Sequence, residues 1–170
     1  MQVAQPLTVR RELRPSDAQA IADLHDRVYR TEYAMNDAFV DAVAAAVHTS
    51  IERGWPQHGG GAWLVDDPAD GRLIGSIGLT RESASVGQVR WVVFEPQLRG
   101  QGLGRRLIGE LLAEARAQSM ERLELDTFSE LTGAAHIYRS VGFRMTSARE
   151  RDDWGRRITY QHYVLDPLTE

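Results

Sequence analysis

The sequence contains no cysteine and no lysine. Without cysteine there is no disulfide framework, no thiol nucleophile and no zinc site built on thiolates. Without lysine there is no Walker-type phosphate loop, no Schiff-base enzyme and no kinase of the usual pattern. All 20 basic residues are arginine, and against 24 acidic residues they leave a net charge of −4. Such a balance lacks the global basic field of a nucleic-acid binder. No apolar run approaches the roughly 20 residues that cross a bilayer. The start, Met1-Gln2-Val3-Ala4-Gln5-Pro6, has neither a charged n-region nor an apolar h-region. The expectation is a cytoplasmic protein without nucleic-acid or membrane partners.

What remains is 170 residues, 42% apolar and 26% charged, the composition of one globular domain over 1–170. Leu7 to Leu13 alternates apolar and polar, as a half-buried strand does. Pro15-Ser16-Asp17 looks like a helix start with Ser16 or Asp17 as N-cap, and Ile21, Leu24, Val28 and Tyr29 follow at helical spacing. Asp37 to Arg53 fits a second helix, stopped at Gly54 and a loop of strong breakers. Strands are expected at Ala62–Val65, Arg72–Leu79 and Gln88–Phe94, then a strongly amphipathic helix over Leu103–Gln118. Arg122–Thr127 reads as a strand and Thr132–Ser140 as a helix, with Gly142 as left-handed stop and Phe143 as hydrophobic clasp. Two strands near Phe143–Arg149 and Arg157–Leu165 close the chain. Arg149-Glu150-Arg151-Asp152-Asp153 reads as a solvated turn. The order β-α-α-β-β-β-α-β-α-β-β describes one mixed α/β layer structure.

The chemistry concentrates in Phe94-Glu95-Pro96-Gln97-Leu98-Arg99-Gly100-Gln101-Gly102-Leu103-Gly104-Arg105-Arg106, which runs from a strand into a helix. Glycines at 100, 102 and 104 let the backbone approach a ligand closely, and the unpaired N–H groups of the helix start favour an anion, phosphate above all. Arg99, Arg105 and Arg106 add charge for phosphate oxygens. The bland alternative is a helix start thinned by glycines for close packing. The Rossmann fingerprint fits worse. Its third glycine would fall on Arg105 or Leu107, Pro96 lengthens the turn, and no repeated βαβ unit follows.

Arg99-Gly100-Gln101-Gly102-Leu103-Gly104 resembles the R/Q-x-x-G-x-G/A signature of the GNAT N-acetyltransferase superfamily. Ala134-Ala135-His136-Ile137-Tyr138-Arg139-Ser140-Val141-Gly142-Phe143 is similar to the A-x-x-x-Y-x-x-x-G-F end of those domains. More narrowly, Leu131 to Tyr138 and Glu32-Tyr33 look like the acetyltransferase half of MarR–acetyltransferase fusion regulators, expected here without the DNA-binding half. The resemblance implies an α/β (α+β) fold with a mixed, mostly antiparallel sheet and a splayed central strand pair. It implies acetyl-coenzyme A as co-substrate and no metal. The pyrophosphate would lie on Arg99, Gly100, Gln101, Gly102, Leu103, Gly104 and Arg105. The pantetheine arm would add like a strand beside Val92-Val93-Phe94, and a backbone N–H near Phe94 would meet the oxyanion.

In that family a tyrosine at the place of Tyr138 protonates the departing thiolate. The competing reading makes Tyr138 a core aromatic on a face shared with Ala134, Ile137 and Val141. Many relatives carry an acidic base on the strand before the glycine loop. Here that strand offers Gln88 and Arg90, so Glu32, Glu124 and Asp126 are the carboxylates to consider. Acceptor recognition is expected from His25, Tyr29, Glu32 and Tyr33, spaced one helical turn apart, and from Arg90, which would bind a carboxylate of an amino-acid-like substrate. The expected activity is acetylation of a small-molecule primary amine by direct attack, with a homodimer left open. A non-catalytic acyl-coenzyme A sensor and a protein-modifying acetyltransferase are the alternatives.

Overall fold

The computed structural model describes residues 6–169; residues 1–5, scanned above for a signal segment, and residue 170 lie outside the described residues. The elements are β1 (Val9–Arg10), α1 (Asp17–His25), α2 (Thr31–Tyr33), α3 (Asp37–Glu52), β2 (Gly61–Asp66), β3 (Leu73–Arg81) and β4 (Val86–Phe94). Then come α4 (Leu103–Ala117), β5 (Arg122–Phe128), α5 (Thr132–Ser140), β6 (Arg144–Asp153) and β7 (Arg156–Leu165). A π-helical turn, Asp26–Arg30, joins α1 to α2. The strands form one sheet in the order β1-β2-β3-β4-β5-β7-β6, antiparallel except between β4 and β5. Among the described residues no helix is long and apolar enough to cross a membrane.

Alternation along the central strands makes two cores. Trp63, Val65, Ile77, Leu79 and Val89 face α4 and α5, where the α4 stripe of Leu103, Leu107, Ile108, Leu111, Leu112 and Ala115 buries against them. Ala62, Leu64, Leu73, Trp91 and Val93 face the other way and pack with Ile21, Leu24, Phe39, Val43 and Val47 of α1 and α3. Helix starts are held by short side chains. Asp17 accepts the Arg14 N–H at 2.5 Å, and Asn36 accepts the Phe39 N–H at 3.3 Å. Ser16, the other N-cap expected for α1, makes no capping hydrogen bond.

Two expectations change. The Leu7–Leu13 strand contracts to Val9–Arg10, paired with Val65 and Leu64. The Arg10 guanidinium draws the chain off the sheet by bonding Asp17 at 2.6 Å and Asp66 at 2.9 Å. The run Arg149–Asp153 is exposed as expected, yet it belongs to β6, and the turn falls on Trp154-Gly155, both at positive φ. Cross-strand bonds from Arg157 to Glu150 and Asp152 hold those charges in a strand.

The sheet's central irregularity is the one that matters for ligands. β4 and β5 pair only through Val86–Arg122, Gly87–Leu123 and Gln88–Glu124, then part. On its other side β4 bulges, with Trp91 and Val92 between the partners of Ser76 and Gly78. Trp91 sits at φ 51°, and the Ser76 hydroxyl donates to its carbonyl at 2.5 Å, which holds the kink. From Val89 to Phe94 the β5-facing edge of β4 therefore has no strand beside it.

Candidate active site

Below the parted strands, a single 3₁₀ turn (Pro96–Leu98) leads into the glycine loop. Gly100 and Gly102 stand at φ 73° and 78°, and a Cβ on either would meet nothing within 4 Å. Their glycines serve backbone conformation and leave open space in front of the α4 N-terminus. Gly104 serves packing, since its Cβ would stand 3.2 Å from Ile137 Cδ1. Close packing thus accounts for Gly104, and backbone conformation with open space in front accounts for Gly100 and Gly102. Gly102 is the N-cap and has no side chain to cap with, so the first N–H groups of the 15-residue α4 face outward.

The arginines divide differently from expectation. Arg105 is exposed, lines the cavity in front of the loop and makes no ion pair among the described residues. Arg99 is engaged. It bonds both Glu32 oxygens at 2.6 Å and donates to the Phe94 carbonyl at 3.0 and 2.8 Å. This latch ties α2 to the loop, and the Arg99 guanidinium holds the Glu32 carboxyl below the ordinary carboxylate range. Gln101 turns back to the Gln97 carbonyl at 2.7 Å.

A cavity of about 720 Å³ runs from this loop, under the open edge of β4 at Val92-Val93-Phe94, to α1 and α3. Tyr138 of α5 lines it. Its ring packs against Phe143 at 5.9 Å, and burial pushes its phenol up from the ordinary value. Among the described residues nothing hydrogen-bonds its hydroxyl, so the ring belongs to the core while the hydroxyl stays available on the cavity side.

At the far end, Tyr29 lies 5.5 Å from His25, 5.4 Å from Tyr33, 5.0 Å from Phe39 and 6.1 Å from Phe128. Burial also pushes the Tyr29 phenol up. His25 Nδ1 lies 2.7 Å from the Ile21 carbonyl, an acceptor, so Nδ1 carries the proton and the neutral ring leaves Nε2 with its lone pair. Burial lowers this histidine to about 4.

Of the three carboxylates considered as base, one lines the cavity. Asp126 does, 2.7 Å from His162 Nδ1, whereas Glu124 pairs with Arg122 at 2.6 Å and Glu32 with Arg99. Arg90 lines the cavity. Sequence reasoning missed Phe39, Phe128 and His162. Phe39 reads as one more apolar helix position, and Phe128 lies one residue beyond the expected strand. Nothing local marks His162, which meets Asp126 through the β5–β7 register.

These residues line one passage with an uncapped helix start, an open strand edge and a phenol that no described residue bonds. That set fits a thioester of a phosphorylated, amide-bearing carrier. Comparison with known proteins agrees. The mycothiol acetyltransferase of Beutenbergia cavernae is 36% identical over 81 residues, 48% of this chain and 27% of that protein. The chain thus spans about a quarter of that relative's length. The uncharacterized N-acetyltransferase YjgM of Escherichia coli is 27% identical over 144 residues, covering 83% of this chain and 84% of that one. The fold matches yncA of Salmonella typhimurium, solved with its cofactor acetyl-CoA, at a TM-score of 0.70 and 20% identity over 98% of this chain and 96% of that one. The acetyltransferase (GNAT) family model matches residues 19–143, a span holding the glycine loop, the parted strands and Tyr138, and the chain belongs to that family.

Proposed function

We infer that the protein transfers the acetyl group of acetyl-coenzyme A to the primary amine of a small molecule. The carrying observation is the one cavity that joins the glycine loop, the open edge of β4, the Tyr138 hydroxyl and the aromatic chamber. Bound acetyl-coenzyme A supplies an activated acyl carbon and a thiolate leaving group. Gly100, Gly102 and the first N–H groups of α4 would hold its pyrophosphate, with Arg105 as the available counter-charge. The backbone of Val92, Val93 and Phe94 would pair with the pantetheine amides, and an N–H at the β4 bulge would face the acyl oxygen. Tyr138, kept protonated by burial, would give its proton to the sulfur.

His25, Tyr29, Tyr33 and Arg90 would receive the acceptor among packed aromatic rings, a setting that favours a small molecule over a protein tail. Glu32 holds Arg99 in an ion pair beside the loop and would compete with a bound phosphate for it. The narrower likeness to fusion regulators rests on Leu131–Tyr138 and Glu32-Tyr33 alone. An amine panel scored by release of free coenzyme A thiol tests the function, and a protein without cysteine adds no background to that signal. Retained coenzyme A binding with no thiol release for any amine would select a sensor instead.

A further inference from the structure

Arg90 is a cation that stacks on an aromatic ring but meets no carboxylate among the described residues. It stands two residues beyond Gln88, whose pairing with Glu124 is the last before β4 and β5 part. The same step along β5 reaches Asp126, so Arg90 and Asp126 stand on either side of the opening. Val89, Leu123 and Leu125 fill the core under α4, which puts Arg90 and Asp126 on the opposite face, toward α1 and α3. Both line the cavity. Arg90 is half-buried with its guanidinium 4.9 Å from the Trp91 ring, and among the described residues it makes no hydrogen bond or ion pair. Glu82, Asp126 and Arg53 are the charges that act on it, none within ion-pair distance.

A half-buried guanidinium whose N–H groups find no acceptor is costly even when stacked on a ring, and a ligand carboxylate relieves that cost with two parallel hydrogen bonds. Across the opening, Asp126 is more than half exposed, pairs among the described residues with His162 alone and presents the opposite charge. Deeper in, Tyr29, Phe39 and Phe128 form a wall with ring centres 5.0 to 6.3 Å apart. A cation, an anion and an apolar wall on one chamber match one ligand pattern.

We propose that the acceptor is an α-amino acid with a large apolar side chain, its carboxylate on Arg90, its ammonium toward Asp126 and its side chain against Tyr29, Phe39 and Phe128. This deepens the acetyltransfer reading and rests on it. The acceptor nitrogen forms one bond to the acetyl carbon as the carbon–sulfur bond breaks. It loses two protons in all; one ends on the coenzyme A sulfur and one is released.

The test compares L-phenylalanine, L-phenylalaninamide, phenethylamine and spermidine as acceptors, with wild type and Arg90→Gln. Wild type should favour phenylalanine over phenethylamine by about ten- to hundredfold in kcat/KM, the range of a charge-assisted hydrogen-bonded pair. Arg90→Gln should erase that preference through KM and leave coenzyme A affinity unchanged, which also shows that the variant folds. Equal or better use of phenethylamine or spermidine, or a preference that survives Arg90→Gln, would overturn the substrate class while leaving acetyltransfer intact. Should no amine turn over, acetyltransfer itself fails. Calorimetric binding of phenylalanine to the coenzyme A-loaded protein then decides the class: binding without matching phenethylamine binding supports it, and no binding refutes it.

Discussion

Replacing Tyr138 by phenylalanine removes one oxygen atom from a residue that is buried in its ring and unpartnered at its hydroxyl. The ring keeps its contact with Phe143 at 5.9 Å, and no hydrogen bond among the described residues is lost. A hydroxyl that faces the cavity and bonds no described residue contributes little to the fold, so Tyr138→Phe should change stability by no more than about 1 kcal/mol in either direction. Turnover should fall. A positioned acid contributes mainly in the transition state, and its loss should lower kcat by roughly 10²-fold, about 2.7 kcal/mol of barrier. The Michaelis constant for acetyl-coenzyme A should barely change, and residual activity should persist because a thiolate leaves tolerably well unaided. Burial pushes the phenol up, so Tyr138 stays protonated through the mildly alkaline range and both proteins should share one pH–rate profile below about pH 10. Urea unfolding and thiol-release kinetics measure the two effects. An unchanged kcat with chemistry shown to be rate-limiting would reduce Tyr138 to a core residue. A stability loss above about 1 kcal/mol would show that the hydroxyl has a structural partner after all.

Gly102→Val should abolish coenzyme A binding in calorimetry and, because φ is 78° while space is open, should cost stability on the order of 1–2 kcal/mol rather than unfold the protein. Equal affinity in the two proteins would remove the loop from the site. Glu32→Gln should free Arg99 and tighten coenzyme A by up to about fivefold, the worth of a partly exposed ion pair, while Arg99→Ala should weaken it. If Glu32→Gln binds no tighter, Arg99 is a structural latch and nothing more. His25 is lowered from 6.5 to about 4 in the fold, so between those values the unfolded chain binds the extra proton and stability falls as pH falls. Denaturation at pH 7 and pH 4 should show His25→Gln losing about 3 kcal/mol less than wild type over that interval. Equal acid losses would mean that the ring is not buried as a neutral base.

Much of this protein was legible one segment at a time. The α4 stripe, the Gly142–Phe143 stop and the glycines at 100 and 102 are local statements, since helix period, strand alternation and positive φ are decided within a few residues. The chain order of the elements, and the resemblance carried by two short motifs, follow from the same local information. The extent of β1 and β6 did not, because a strand lasts as long as its partner does. Arg10 ends β1 by reaching Asp17 and Asp66, and β7 extends β6 through Arg149–Asp153. The site's charges were least legible. With 20 arginines and 24 acids to match, nothing local says that Arg99 meets Glu32 across 67 residues, or that Arg90 meets no carboxylate among the described residues. Packing of α2 against the loop makes the first match, and the parting of β4 from β5 leaves Arg90 and Asp126 facing a cavity instead of a neighbouring strand. Residue types set which chemistry was available, and the distances imposed by the sheet and its helices chose among them.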